Sequence, residues 1–92
     1  ILVVLASILP AYDYPWRPGL YPDRKIPPLN AWFKDYCGRD GFVYLDYFSA
    51  MADQRNGLRP ELSADGVHPN KAGYAIMTPL AEKAIAEALA QK

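Results

Sequence analysis

The 92-residue chain has few of the side chains that form disulfides and metal sites. Its single cysteine, Cys37, excludes an internal disulfide and has no neighbours at the spacing of metal ligands. Ten basic and ten acidic residues give a net charge of zero at pH 7, and no basic run is present. This balance argues against a nucleic acid as partner. We predict neither a metal nor a cofactor, and we expect Cys37 to be a small hydrophobic residue at a helix end.

Long hydrophobic runs are also absent. Residues 1–9 form an apolar run that is far too short to cross a membrane as a helix. The run lacks the positively charged start of a signal peptide and is rich in β-branched residues, which favours a buried strand. Because the sequence opens on Ile1 rather than on methionine, we expect a fragment or a processed chain, and the compartment is not predicted.

The only histidine, His68, follows Asp65 by three residues. An imidazole can take up and return a proton near neutral pH. A carboxylate that accepts a hydrogen bond from Nδ1–H holds it in one tautomer and leaves Nε2 free. Gly66 permits a tight turn, and Pro69 biases His68 away from helical conformation, which predicts a loop just ahead of a helix. The pair is a candidate base with its orienting acid; the alternative is a surface turn or a helix cap.

The hydrophobic pattern predicts the order strand, helix, strand, helix. The predicted elements are residues 1–9, a helix from Pro28 to Gly38, residues 42–48, and a helix over residues 70–90. Strands that alternate with helices of this length indicate a parallel sheet with right-handed crossovers. Two parallel strands need pairing partners and cover on both faces, so we expect further strands outside this chain.

Each predicted helix has an expected buried face. In the first helix this face consists of Leu29, Trp32, Phe33 and Tyr36. In the second helix it consists of Tyr74, Met77, Ala81, Ala84, Ile85, Ala88 and Leu89. Pro79 removes a backbone hydrogen bond, so we expect it to kink this helix or to restart it with Thr78 as a cap.

The remaining segments are predicted loops. Residues 10–28 are rich in proline and should be irregular, residues 49–64 should be loop with one short helix, and Asp46 should be a turn or cap residue. The first loop carries four aromatic residues: Tyr12, Tyr14, Trp16 and Tyr21. These rings either line a pocket for an acyl group or a sugar, or cover the rest of the sheet and pack on the loop itself.

A longer block around His68 resembles the C-terminal block of the SGNH (GDSL-type) esterases. The block reads Asp65-Gly66-Val67-His68-Pro69-Asn70-Lys71-Ala72-Gly73-Tyr74 and leads into an apolar helix with Met77, Pro79 and Leu80. The preceding segments resemble the family in the same order. They are residues 26–32 before a helix, residues 42–47 as a strand, and residues 62–64 leading into the block.

The resemblance implies a fold and a set of roles. The fold is a flavodoxin-like, three-layer α/β/α arrangement with five parallel strands, and residues 1–92 would be the C-terminal part of one such domain, with its last two strands. His68 matches the family's catalytic base, and Asp65 matches the acid that orients it. The family's nucleophilic serine, in a Gly-Asp-Ser setting, and its glycine and asparagine oxyanion donors belong to blocks that this sequence does not contain.

The chain's own serines do not replace that nucleophile. None of Ser7, Ser49 and Ser63 has a Gly-Asp-Ser or Gly-x-Ser-x-Gly setting. We expect Ser63 to cap or stabilise the loop around His68. The 92 residues alone are therefore predicted to be inactive, whereas the parent domain is predicted to cleave esters through an acyl-enzyme.

The sequence is also compatible with two other functions. The chain could be a non-catalytic module that binds a partner, or a second copy, through an exposed sheet edge. Transfer of the acyl group to an acceptor other than water is not distinguished from hydrolysis. Family substrates range over lipid, acetyl-sugar and other small esters, and nothing in the sequence selects among them.

Overall fold

The computed structural model describes residues 1–91 as a two-stranded sheet with helices around it. The elements are β1 (Val4–Ala6), α1 (Pro22–Asp40), β2 (Val43–Leu45), α2 (Tyr47–Met51), a 3₁₀ turn (Pro60–Leu62) and α3 (Lys71–Ala90). The two strands are parallel, with Val4 opposite Val43 and Ala6 opposite Leu45. The predicted α/β class and parallel pairing are confirmed.

The sheet lies between two helices. Val43 and Leu45 are buried and pack against Ala84 and Ala88 of α3. Because successive side chains of a strand point to opposite faces, Tyr44 faces away from α3. It lines a shallow pocket together with α1 residues such as Asn30. The chain thus has the three layers α/β/α, with α1 and α3 on opposite faces of the sheet.

A second apolar cluster supports the segment that leads to His68. Met51 is fully buried and packs with Leu58 and Leu62, and Ile76 and Met77 of α3 lie against them. Through this cluster, the segment between α2 and the 3₁₀ turn packs against the first half of α3. It therefore fixes the position from which the loop at residues 63–70 begins.

Side-chain hydrogen bonds fix the chain where it leaves β1. The amide of Asn30 accepts from the Ile8 backbone N–H at 2.8 Å and donates to the Ile8 carbonyl at 3.0 Å. The hydroxyl of Ser7 accepts from the Phe48 N–H at 3.1 Å. Both Asn30 and Ser7 are buried, so these bonds satisfy polar groups that would otherwise be costly to desolvate. They set the direction in which the loop between β1 and α1 starts, which carries the four aromatic residues and is called the aromatic loop below.

The limits of α1 differ from the prediction. The helix begins at Pro22, so the prediction of a loop over residues 22–28 is wrong. Pro22 suits the first turn, where the missing N–H has no intrahelical partner. Pro27 and Pro28 lie inside the helix. The helix ends at Asp40 rather than at Gly38. Gly41, with φ 71°, follows as the C-cap, because glycine adopts this left-handed conformation without steric cost.

The buried face of α1 also differs from the prediction. Trp32 is 56% exposed and Leu29 is exposed as well, whereas Ile26, Asn30 and Cys37 are buried. The Trp32 ring stacks on Tyr36 at 5.6 Å. An apolar stripe that faces no described element is the pattern of a helix with a second packing surface.

Cys37 has the environment predicted for it. The residue is buried near the end of α1 and forms no disulfide. Burial raises the pKa of the thiol above its ordinary value, and the charge of Asp40 raises it further. A protonated, buried thiol is a poor nucleophile.

The last helix is continuous through Pro79. Thr78 does not cap a restarted helix, because its hydroxyl donates within the helix to the Tyr74 carbonyl at 3.0 Å. Ala84 and Ala88 are buried as predicted. The expectation is wrong for three residues of the predicted face that are more than half exposed: Tyr74, Ile85 and Leu89. The narrow sheet covers only one stripe of a helix with apolar residues on more than one side.

The strands are shorter than predicted, because only the three residue pairs from Val4 to Ala6 and from Val43 to Leu45 form the ladder. Asp46 directly follows β2 and is the N-cap of α2, as expected. Its side chain accepts a hydrogen bond from the Ser49 N–H at 3.0 Å. Among the helices of residues 1–91, none has both the length and the apolar character required to cross a membrane.

The second apolar cluster gives the first testable prediction. Met51→Ala should lower the free energy of unfolding by about 2–5 kcal/mol, because it leaves a cavity beneath the segment that leads to His68. Ile85→Ala, at a position that is 53% exposed, is the matched control and should change it by about 0.5 kcal/mol or less. Urea denaturation followed by circular dichroism measures both. Equal losses for the two variants would contradict this packing.

Candidate active site

Asp65 is the centre of the loop around His68. Its Oδ1 accepts hydrogen bonds from the backbone N–H of His68 at 2.8 Å and of Val67 at 2.9 Å. Its Oδ2 lies 2.7 Å from Nδ1 of the His68 ring. These bonds, with the His68 backbone N–H as the largest influence, hold the pKa of Asp65 well below its ordinary value of 3.8. Asp65 is therefore an ionised acceptor at neutral pH.

The ionised carboxylate determines the state of the imidazole. Because a carboxylate can only accept, the 2.7 Å contact requires a proton on Nδ1 of His68. In the neutral ring Nε2 then carries the lone pair. The His68 side chain is 72% exposed, so the ring is accessible to a reacting group. The structure thus brings the two predicted site residues together in the geometry of a base and its orienting acid.

Ser63 stabilises the loop through hydrogen bonds of its side chain. Its buried hydroxyl accepts from the Gly66 N–H at 2.9 Å and lies 2.7 Å from the His68 carbonyl and 3.1 Å from Oδ1 of Asp65. Gly66 has φ 81°, a conformation that favours glycine, and this turn directs the chain from Asp65 back towards His68. The expectation that Ser63 stabilises the motif loop is confirmed.

Asn70 and Gly73 attach the loop to α3. The side chain of Asn70 caps the helix by accepting from the Gly73 N–H at 3.0 Å, and it donates to the Glu61 carbonyl at 3.1 Å. A Cβ at Gly73 would lie 2.9 Å from the Leu62 carbonyl oxygen, so only glycine allows this approach. The loop therefore starts and ends on rigid backbone.

Two aromatic rings of the first loop lie beside His68. The Trp16 ring centroid is 5.8 Å from that of His68, and Tyr14 stacks on Trp16 at 5.4 Å. Tyr12 and Tyr21 lie against the guanidinium groups of Arg55 and Arg24. The four aromatic residues thus divide into a pair at the candidate site and two that contact arginines.

The chain matches one known protein family over most of its length. The GDSL-like Lipase/Acylhydrolase family model matches residues 1–76. The chain belongs to this family. It is similar to the crystal structure of a GDSL-like lipase from Bacteroides thetaiotaomicron, with 37% identity, a TM-score of 0.90, and coverage of 96% of this chain and 44% of that one.

A second crystal structure gives the same result. A predicted acylhydrolase from Bacteroides fragilis is 37% identical, with a TM-score of 0.91 and coverage of 97% of this chain and 44% of that one. The chain thus spans less than half the length of either structure. No curated protein matches it.

The serines of this GDSL-like chain serve local structure. Ser7 accepts from a backbone N–H, and the Ser49 hydroxyl donates to Asp46 at 2.6 Å. Ser63 is held within the motif loop as described. Among residues 1–91, no group of three or more histidine, cysteine or acidic side chains is placed to hold a metal ion.

Sequence reasoning did not predict three features of the site. The capping role of Asn70 has a signal, because asparagine directly ahead of a helix is a common N-cap. The close approach at Gly73 has only the glycine itself as its signal. The contact between Trp16 and His68 has none, because it joins loops that follow different strands.

The low pKa of Asp65 gives a prediction with a defined sign. Folding lowers the pKa of the Asp65 carboxyl group. Its ionised form therefore stabilises the fold at pH values above the ordinary pKa, and this contribution is lost as the pH falls through the folded pKa. Asp65→Asn should therefore destabilise the chain at about pH 7 and have a smaller effect at about pH 3. Asp35→Asn, on exposed α1 surface, is the control. Urea denaturation at both pH values measures the effect, and an equal effect of Asp65→Asn at both would contradict it.

Proposed function

We propose that this chain supplies the acid and base of the catalytic triad in a serine ester hydrolase of the GDSL-like family. The observation that carries the proposal is the 2.7 Å contact between Asp65 Oδ2 and His68 Nδ1, on a His68 side chain that is 72% exposed. A base held in this tautomer is suited to take a proton from a serine hydroxyl.

The proposed reaction proceeds in two halves. Nε2 of His68 takes the proton of the nucleophilic hydroxyl as the serine oxygen attacks the ester carbonyl, and Asp65 stabilises the imidazolium. The imidazolium returns that proton to the leaving alcohol oxygen as the carbon–oxygen bond of the ester breaks, which leaves an acyl-enzyme. Water then attacks the acyl group with His68 again as base, and the carboxylic acid and the free serine are released.

The nucleophile and the oxyanion donors belong, in this proposal, to the rest of the same domain. We infer that residues 1–92 form the C-terminal part of a single domain whose other strands pair with the free edge of β1. Two observations support this. The sheet has two strands where stable parallel sheets have more, and the chain covers 44% of each structural neighbour.

Exposed apolar surface supports the same inference. Trp32 and Leu29 on α1, with Ile85 and Leu89 on α3, are between 43% and 56% exposed. Surface of this kind is typical of an interface. Its occupant would be the remainder of the domain, and in its absence the same surface and the free strand edge favour self-association.

Hydrolysis by the complete domain tests the base assignment. His68→Ala should lower kcat for an acetate ester by roughly 10⁴- to 10⁶-fold, the range found when a residue of a catalytic triad is removed. Lys83→Ala, at an exposed position of α3, is the control and should retain wild-type rates. Unchanged urea denaturation midpoints would show that both variants are folded. Wild-type turnover by a folded His68→Ala domain would reject the proposal.

The 92-residue chain provides a separate prediction. Alone, it should not release acetate from a small ester above the rate of the Ser63→Ala variant, because its serines are bound in local structure. Turnover that a serine-directed phosphonylating inhibitor blocks would place the nucleophile within this chain. It would also contradict the proposed division of the triad.

A further inference from the structure

The His68 ring has little support from its own loop. Within residues 1–91 it makes one side-chain hydrogen bond, the 2.7 Å contact between Nδ1 and Asp65 Oδ2. The last torsion of a histidine side chain has a broad energy profile, so one bond at one nitrogen leaves the plane of the ring weakly fixed. Proton transfer requires Nε2 to lie within hydrogen-bond distance of the serine hydroxyl, so a second contact on the ring would help to place it.

Trp16 provides this second contact from a different loop. Its ring centroid lies 5.8 Å from that of His68, with 38° between the planes. The aromatic loop follows β1, whereas His68 lies beyond β2, so the contact joins two separate segments at one end of the sheet. The His68 side chain is 72% exposed with the indole beside it. The contact therefore restrains the ring without closing it to a reacting group.

The indole is itself held in place. Trp16 lies in a turn that the Arg17 N–H closes by donating to the Tyr14 carbonyl at 3.1 Å. Asp13 Oδ1 accepts from the N–H groups of Tyr14 and Gly19 at 2.9 and 3.2 Å. The Tyr14 ring stacks on Trp16 at 5.4 Å with 23° between the planes. Because this support already limits the freedom of the indole, packing against a neighbouring ring costs little further entropy.

The charge of the imidazole changes during the proposed reaction, and the contact with Trp16 responds to that change. His68 is neutral when the ester binds and cationic while it holds the proton of the serine or of water. An aromatic ring attracts a cation within about 6 Å of its centroid, and tryptophan does so best. The contact therefore strengthens as His68 takes up the proton. An interaction that is stronger in the transition state than in the ground state raises kcat rather than substrate affinity.

We propose that Trp16 is a positioning residue of the ester hydrolase, which holds the His68 ring and stabilises the imidazolium through its indole. This inference rests on the proposed function, because it assigns Trp16 a role that acts through the catalytic base. It requires no contact between Trp16 and the substrate, and it applies to any ester that the complete domain cleaves.

Two acetate esters test this role. The complete domain is assayed on ethyl acetate and on cyclohexyl acetate, which share the acyl group and differ mainly in the size of the alcohol. Trp16→Leu keeps an apolar side chain but removes the aromatic ring. It should lower kcat about two- to fivefold on both esters and leave both KM values unchanged. Trp16→Phe, which restores an aromatic face, should recover most of the rate.

Nuclear magnetic resonance detects the same contact without turnover. An indole shifts the ¹H signals of a neighbouring ring, so the carbon-bound protons of His68, identified by their loss in His68→Gln, should change position in Trp16→Leu. Tyr21→Asn is the matched control, because it removes an exposed ring of the same loop that contacts Arg24. Asparagine tolerates the positive φ of 55° at this position. The control should change neither kcat nor the His68 signals.

The outcomes separate the role of Trp16 from that of the triad. An equal loss of kcat on both esters, recovered by phenylalanine and accompanied by shifted His68 signals, supports the positioning role. A loss that lies in KM, or on one ester alone, would show that Trp16 binds the alcohol and would overturn it. Wild-type kcat in Trp16→Leu would overturn it as well. A folded His68→Ala domain that keeps wild-type rates would reject the ester hydrolase itself, whatever Trp16→Leu does.

Discussion

The carboxylate of Asp65 is the group on which the candidate site depends. One oxygen accepts the backbone N–H groups that shape the loop, and the other accepts Nδ1 of His68. The same side chain therefore folds the loop and selects the tautomer of the ring. Loss of its charge affects both, because a protonated carboxyl group accepts these bonds more weakly. Shape and chemistry are coupled in one residue.

The rest of the structure positions this loop at the end of the sheet. Both strands end towards the loops of the site, since Trp16 follows β1 and His68 lies beyond β2. Ligands of parallel α/β sheets bind outside the carboxyl ends of the strands, and the arrangement here agrees with that rule. The fully buried Met51 and the cap at Asn70 hold the loop from both sides.

Local signals predicted much of this structure. The order of strands and helices, the parallel sheet, the pair Asp65–His68 and the bracing role of Ser63 are readable because each depends on residues close in sequence. The buried faces of the helices were predicted less well. An amphipathic pattern shows which residues of a helix are apolar but not which neighbouring element covers them, and Trp32 and Ile85 are more than half exposed. The contact between Trp16 and His68 depends on tertiary structure and leaves no local pattern.

The tautomer of His68 provides the most direct measurement of the central claim. Two-dimensional ¹H–¹⁵N NMR of the imidazole nitrogens, recorded where the ring is neutral, distinguishes a proton on Nδ1 from a proton on Nε2. With Asp65 as the acceptor, the spectrum should show Nδ1 protonated and Nε2 with the lone pair, and Asp65→Asn should reduce this preference. A neutral ring protonated mainly on Nε2 would contradict the assignment of His68 as a base oriented by Asp65.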